Sequence, residues 1–355
     1  MKTLLIDTSY LIYRSYFAYP DLSVGEQPVG ALFGFCKAVL SLKKEYQPDR
    51  IAFTCDTPKP TWRHKILKDY KAGRPEIEDK MKSQIPLIYD WCQSVTDNYY
   101  IYPGYEADDI IFTLTNQLLL PAYVKDDESI PSGSELFNKD NSSPEFPVAI
   151  VQNQKKKEIK SEEVLIFSSD RDLYQLLVYP EVTFIKNNSF KQKLETFRQI
   201  NFKEKYSLDT IQWLDYKAIV GDSSDNLKGV PGIGPKTAVK ILSEVGGLYN
   251  LFNSLNLPIE EFAHCSYYEK YKDTAKVYLS DSKNHNLLSK ITQNQDQILQ
   301  TYKLSKLQFI PKLDKVSESF DLQKGSLIFE KYRFTSLLKD LEKDKASNLQ
   351  AEALF

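Results

Sequence analysis

The chain is poor in soft metal ligands, with three histidines and four cysteines in 355 residues. Cys36, Cys55, Cys92 and Cys265 lie far apart and form no CxxC pair. That spacing excludes a zinc finger and argues against a disulfide scaffold, leaving the thiols as core residues. Long apolar runs are missing too, and none approaches the roughly 18 residues of a membrane span. The first residues have neither the basic start nor the apolar centre of a signal peptide, so cytoplasm is the expected compartment, without membrane contact. A net charge of -2 gives no bulk argument for nucleic acid, which leaves local arrangement to carry one. The nucleotide loops GxxxxGK[ST] and GxGxxG are absent. Hydrophobic content of 42% supports one large domain or two modest ones.

What the chain has instead is carboxylate where strands end. Asp7 in TLLIDTS, Asp56 in IAFTCDT, Glu106, Asp108 and Asp109 in GYEADD, Asp170 and Asp172 in SSDRD, and Asp222 and Asp225 in GDSSDN make nine acids in five clusters. TLLI (3–6) reads as a buried parallel strand, and SYLIYRSYFA (9–18) as a helix capped by Thr8 or Ser9. A second helix is expected over 30–46, and RIAFTC (50–55) reads as a strand running into Asp56. VLIF (164–167) repeats the pattern before Asp170, and VTFI (182–185) suits a strand at a sheet edge. This order predicts an α/β fold that binds ligands beyond the carboxyl ends of its strands. Neighbouring strands lie about 5 Å apart, so Asp7, Asp56 and Asp170 would face one crevice. The GYEADD acids open a helix that can turn toward it, and Asp222 and Asp225, three apart, share one side of a turn.

A strand-end aspartate taken singly is ordinarily a helix cap or turn residue. Five converging clusters would instead repel and raise one another's pKa values. Hard divalent cations with oxygen ligands relieve that repulsion, and without histidine in the clusters Mg2+ or Mn2+ fits better than zinc.

TWRHKILKDYKAGRP (61–75) sets Arg63, His64, Lys65, Lys68, Lys71 and Arg74 among Trp62 and Tyr70, directly after the Asp56 strand. Phosphates pair with such cations, and unpaired bases stack on such rings. A helix over 80–95 would complete an arch. In GVPGIGPKTAVKIL (229–242), Gly232 and Gly234 permit a tight turn that presents backbone N–H groups to a phosphate, with Lys236 nearby. An amphipathic helix is expected over 207–221 and further helices after 255. The tail from about 306 has no clear pattern, and 339–355 is expected to fray. Residues 120–163, rich in Pro, Ser, Asn and charge, read as a surface insertion, with VAIV (148–151) as a short edge strand and KKK (155–157) as a solvated run. His264 and His285 have no evident partner.

In order and spacing, LLIDTSYLIYRSYFA, FTCDTPKPTWRHKILKDYKAGRP, GYEADDIIFTL, SSDRDLYQL and VGDSSDNLKGVPGIGPKTA resemble the bacterial and phage 5′–3′ exonuclease family. That family also forms the N-terminal domain of DNA polymerase I and is related to flap endonucleases. The resemblance spans 3–120 and 164–300. It implies a PIN-like (resolvase-like) α/β core over 1–200, a mostly parallel sheet flanked by helices, with an arch at 60–95. A helical region with a helix–hairpin–helix would follow over 201–305, then a C-terminal extension over 306–355.

By the same resemblance Asp7, Asp56, Glu106, Asp108, Asp109, Asp170, Asp172, Asp222 and Asp225 are metal ligands, some through water, for two or more Mg2+ ions that Mn2+ can replace. Lys71 and Arg74 would contact the scissile phosphate, Arg63 would assist, and Tyr10 would stack on a base. Gly229, Val230, Gly232, Ile233, Gly234, Lys236 and Thr237 would grip duplex DNA, with K+ bound at the hairpin. The implied substrates are 5′ ends, flaps, nicked or branched duplex and RNA/DNA primer junctions. A monomer would cut them to 5′-phosphate products in primer removal and repair. The sequence departs from the family's usual pattern at Thr8 (for glycine), Trp62 (for phenylalanine) and Lys65 (for an acid), and no ligand is lost. With no polymerase after 355, a free-standing nuclease is expected. Two other readings stay open. A non-catalytic nucleic-acid-binding protein has no use for nine acids, and a small-molecule phosphohydrolase leaves 229–242 unexplained.

Overall fold

Six strands make the main sheet: β1 (Lys2–Asp7), β2 (Arg50–Cys55), β3 (Tyr99–Ile101), β4 (Glu163–Phe167), β5 (Val182–Asn188) and β6 (Lys193–Phe197). They lie in the order β3-β2-β1-β4-β5-β6. The first five run parallel, and β6 returns antiparallel beside β5. The computed structural model describes residues 1–58, 60–120, 162–188, 193–260, 262 and 266–352. Almost all of the expected insertion, with 148–151 and 155–157, lies outside the described residues, as do His264 and Cys265.

The strands are apolar almost throughout because both faces of the sheet are covered. Alternate residues supply two cores. Leu4, Ile6, Phe53, Phe167 and Ile185 face one side, and Leu5, Ala52, Ile166 and Phe184 the other. On the first side lie α1 (Thr8–Ala18) and α2 (Gly30–Tyr46). Asp7, not Thr8 or Ser9, caps α1, its Oδ1 accepting from the Tyr10 amide at 3.0 Å. The chain passes from strand to helix with no residue between, so the last residue of the strand does the capping.

After β2 come the short α3 (Trp62–Ile66) and then α4 (Ile85–Val95). α4 covers most of the helix expected over 80–95. Ile88, Trp91, Cys92 and Val95 of α4 are buried, with Trp91 edge-on to Phe35 and Phe53. α5 (Ala107–Leu119) packs on the other face. β5, expected at an edge, is covered by β6, which the sequence pattern did not single out.

A helix at Gln199–Tyr206 opens the helical region, and the helix expected over 207–221 starts late. Ser207 ends the preceding helix in the left-handed conformation (φ 55), and Asp209 opens a 3₁₀ turn, so α6 runs only from Trp213 to Val220. α7 (Pro235–Val245), α8 (Leu248–Ser254), α9 (His285–Gln293) and α10 (Gln295–Ser305) follow. The tail then crosses back to the first face. Ser317 donates to Asn98 Oδ1 from its amide (2.8 Å) and hydroxyl (3.1 Å). Phe329 stacks on Trp91 at 6.0 Å, and Phe334 meets Phe33 at 5.2 Å. α11 (Thr335–Glu352) takes in most of the segment expected to fray, and its Leu337 and Leu341 are buried in the same core, while 353–355 lie outside the described residues.

Asp215 of α6 stabilises the helical region from inside. It accepts from the Leu248 amide at the start of α8, and the Tyr268 hydroxyl lies 3.5 Å away. Gly247 makes the approach possible, since a Cβ there would stand 2.6 Å from the carboxylate. Burial pushes this carboxyl from 3.8 up to about 7, against the hydrogen bond from Leu248. The folded protein thus holds a proton that the unfolded chain has released, so stability falls as pH rises from about 4 to 7 and levels off above. The full difference corresponds to at most about 4 kcal/mol. Asp215→Asn keeps the acceptor and stays neutral, so its stability relative to the unsubstituted protein should rise by a few kcal/mol at most between pH 5 and pH 8. Urea midpoints at both pH values measure this, and an equal difference at the two would contradict it.

Candidate metal centre and nucleic-acid interface

Asp7 ends β1 and Asp56 follows the adjacent parallel β2, and Asp170 follows β4 on the other side of β1, so sheet order alone brings the three to one edge. Asp7 Oδ2 accepts from the Ser168 hydroxyl at 2.8 Å. Asp56 Oδ1 accepts from the Ala107 amide at 2.8 Å, which ties β2 to the first turn of α5 and carries Asp108 into the group. Burial, then the nearby Asp56, raises the Asp7 carboxyl to about 7. Burial, then Asp170 and Asp7, lifts Asp108 well above the ordinary carboxylate range. No ion pair among the described residues reaches Asp7, Asp56, Asp108 or Asp170.

The other five acids are held by cations. Asp109 is fully buried and accepts from Arg63 at 2.8 and 2.9 Å, from Trp62 Nε1 at 3.1 Å and from the Gln308 amide at 2.9 Å. Its oxygens are filled, so it anchors Arg63 and does not face the crevice. Arg63, 2% exposed, also donates to Glu106 at 3.1 Å and to the Leu304 carbonyl at 2.9 Å. It is built into the framework, out of reach of a phosphate. Lys71 Nζ donates to Glu106 at 3.0 Å, and Arg74 to Asp225 Oδ1 at 2.8 Å. Lys217 bridges Asp172 and Asp222, the latter at 2.9 Å. Burial pushes Asp222 up, but Lys217 and Ser224 outweigh it and bring the carboxyl down to about 2.

In this arrangement no three His, Cys, Asp or Glu side chains among the described residues are set to hold a metal ion. Five of the nine acids point their oxygens at cations instead. The donor chemistry of the remaining four nevertheless fits a hard divalent ion. Each offers only oxygen, none is in an ion pair among the described residues, and their mutual repulsion is what such an ion removes.

Two loops clasp each other in front of this group. The Lys71 amide donates to the Asp225 carbonyl (3.1 Å) and Asn226 Nδ2 to the Asp69 carbonyl (2.9 Å). Lys71 is held left-handed (φ 58), a conformation costing about 1–2 kcal/mol for a non-glycine residue, so the clasp outweighs local strain. Tyr70, expected as a stacking ring, is buried with its hydroxyl donating to Asp225 (3.1 Å). Tyr10 is half-buried against Phe167, ring centroids 5.5 Å apart.

At the hairpin, Val230 and Ile233 are buried in the core while Gly232, Gly234 and Lys236 are exposed. Gly229 and Thr237 are half-buried. Backbone and Lys236 are therefore what the hairpin offers a partner. Gly232 takes φ 75, and a Cβ there would meet Lys290 Nζ at 2.8 Å, so α9 adds a cation beside the turn. Sequence reasoning missed Lys290 and Lys217. For Lys217 a signal existed: a lysine on the helix face of Leu214, three residues before it, and five residues before Asp222.

Residues 2–124 match the 5'-3' exonuclease N-terminal resolvase-like domain, and 208–326 the 5'-3' exonuclease C-terminal SAM fold. The 5'-3' exonuclease of Aquifex aeolicus is 32% identical over 256 residues, covering 72% of this chain and 73% of that protein. The chain belongs to the 5'-3' exonuclease family. The thermostable DNA polymerase I of Thermus thermophilus is 33% identical over 262 residues, which is 72% of this chain but 25% of the polymerase. The chain thus spans about a quarter of that relative. In fold it resembles the flap endonuclease of bacteriophage T5 in a complex with DNA and metal ions, with a TM-score of 0.51, 19% identity, and coverage of 86% of this chain and 97% of that one. No described helix is long and apolar enough to cross a membrane.

The Arg63–Asp109 pair generates a prediction. Asp109→Ala leaves a guanidinium buried without its two-pronged partner and should cost about 3–5 kcal/mol. Asp79→Ala, at an exposed pair, should change stability by less than about 0.5 kcal/mol. Urea unfolding distinguishes them, and a loss below about 1 kcal/mol for Asp109→Ala would remove the pair from its structural role.

Proposed function

We propose that this protein is a divalent-metal-dependent 5′ nuclease. It would hydrolyse phosphodiesters at 5′ ends, flaps, nicks and primer strands of duplex DNA and leave 5′-phosphates, in primer removal and repair. The observation that carries this is the group Asp7, Asp56, Asp108 and Asp170. These are four carboxylates at the carboxyl edge of a parallel sheet, in no ion pair among the described residues, with Lys71 and Arg74 beside them. Family membership supports the same reading.

The four would hold one Mg2+ or Mn2+, and Asp172, Asp222 and Asp225 a second, some through water. Glu106 and Asp109 serve instead to position Lys71 and Arg63. Bound there, such ions would lower the pKa of an attacking water and offset charge on the departing oxygen. The chain's own residues would do the rest. The Lys71 ammonium and the half-exposed Arg74 guanidinium would turn from Glu106 and Asp225 onto the scissile phosphate and lower the cost of its developing charge. The Tyr10 ring, seated on Phe167, would stack on the terminal base. With Asp7 and Asp108 buried and Asp56 and Asp170 half-buried, the acids would keep bulk water from the reacting phosphate. At the hairpin the exposed backbone of 231–234, with Lys236 and Lys290, would hold duplex phosphates, and K+ would complete that contact.

Activity is tested with a 5′-labelled flap on duplex DNA, in Mg2+ and in EDTA, beside Asp170→Ala. Metal-dependent release of the flap or of short 5′ products is expected, and the variant should be slower by roughly a hundredfold or more. Tight binding without cleavage in either Mg2+ or Mn2+ would sink the enzymatic reading.

A further inference from the structure

The acids of the crevice fall into two groups that differ in how their charge is met. Asp7, Asp56, Asp108 and Asp170 have no cation partner among the described residues. Asp172, Asp222 and Asp225 have two, and the two are unlike. Arg74 reaches Asp225 from a loop with its side chain 50% exposed, so it can leave into solvent or onto a phosphate. Lys217 reaches Asp172 and Asp222 from the middle of α6 with its side chain 5% exposed. Leu214, Asp215, Ala218 and Ile219 around it are buried, and the Trp213 indole is bonded to the Arg171 carbonyl at 2.7 Å. This ammonium has nowhere else to go.

We propose that Lys217 is a tethered counter-ion in the second carboxylate group and makes the two proposed metal positions unequal. This rests on the metal-dependent reading above. An ammonium fixed between Asp172 and Asp222 occupies one acceptor direction of each and repels an arriving divalent ion. A carboxylate has lone pairs to spare, so the position is weakened, not closed. The first group, with no such tether, binds an ion on its own. The second fills only when more negative charge arrives, as from a substrate phosphate. Lys217 sets the difference, because Arg74 can move aside and Lys217 cannot.

Mn2+ binding to the full chain, by calorimetry with the unbound ion counted by its EPR signal, tests this without turnover. The unsubstituted protein should show one tight class and a second at least about tenfold weaker, since affinity in such sites follows ligand charge. Lys217→Met should tighten the weak class by about tenfold or more and leave the tight class in place, while Lys217→Arg should keep the original pattern. Two equal classes in the unsubstituted protein, or a weak class unmoved in Lys217→Met, would overturn the assignment. No Mn2+ binding at all would instead sink the metal-dependent reading. If Lys217→Met does not fold without metal, Asp222→Asn decides the point. Loss from the weak class alone supports the tether, and loss from the tight class overturns it.

Discussion

Arg63 and Asp109 share a pocket closed to water, and three parts of the chain are fixed through them. Asp109 belongs to α5, in the layer beside the sheet, and Arg63 to the basic segment after β2. The Leu304 carbonyl and Gln308 amide, which complete their hydrogen bonds, belong to the end of the helical region. A buried ion pair adds little net stability over apolar packing, yet losing either partner is costly. Its effect here is one of register. With Arg63 fixed, the chain that follows must bring Tyr70, Lys71 and Arg74 over Glu106 and Asp225, and the clasp between the two loops closes on that alignment.

Around this anchor, negative charge is distributed unevenly. Where acids come from strand ends and the start of α5, they face one another and are held by backbone amides and one serine hydroxyl. Where they come from the turns near 172 and 222–225, lysine and arginine meet them. The first arrangement stores repulsion and the second spends cations to avoid it. Both lie at the carboxyl edge that a doubly covered parallel sheet presents.

The sheet's inner strands were legible because complete burial writes itself as unbroken apolar runs, and TLLI, RIAFTC and VLIF are such runs. Their terminal aspartates were legible for the same reason, as polar stops to apolar segments. β3 and β6 were not: three residues are too few for a pattern, and an outer strand such as KLETF carries mixed residues. The tail was unreadable because its role is tertiary. Phe329 and Phe334 gain meaning only beside Trp91 and Phe33, more than two hundred residues earlier. Charge type was legible and charge direction was not. Arg63 and Lys71 lie in one basic segment, and nothing in the pattern says that the first is more deeply buried than the second, nor does Asp109 look different from Asp108 beside it. Which acid meets a cation depends on rotamers and on partners such as Leu304 and Gln308, distant in the chain.

A Cβ on Gly221 would collide with the backbone of 227–229 and one on Gly229 with the Val220 and Ile219 carbonyls, and the Val230 amide is bonded to the Ile219 carbonyl at 2.8 Å. Asp222 and Asp225 lie within the loop so closed, and the exposed hairpin backbone begins where it ends. The acids and the hairpin therefore move as one piece. In evolutionary terms the two cannot drift independently. A lineage that altered the pitch of this loop to suit another duplex would displace its acids in the same step, so change of grip is steered toward side chains on the hairpin's rim and away from its backbone.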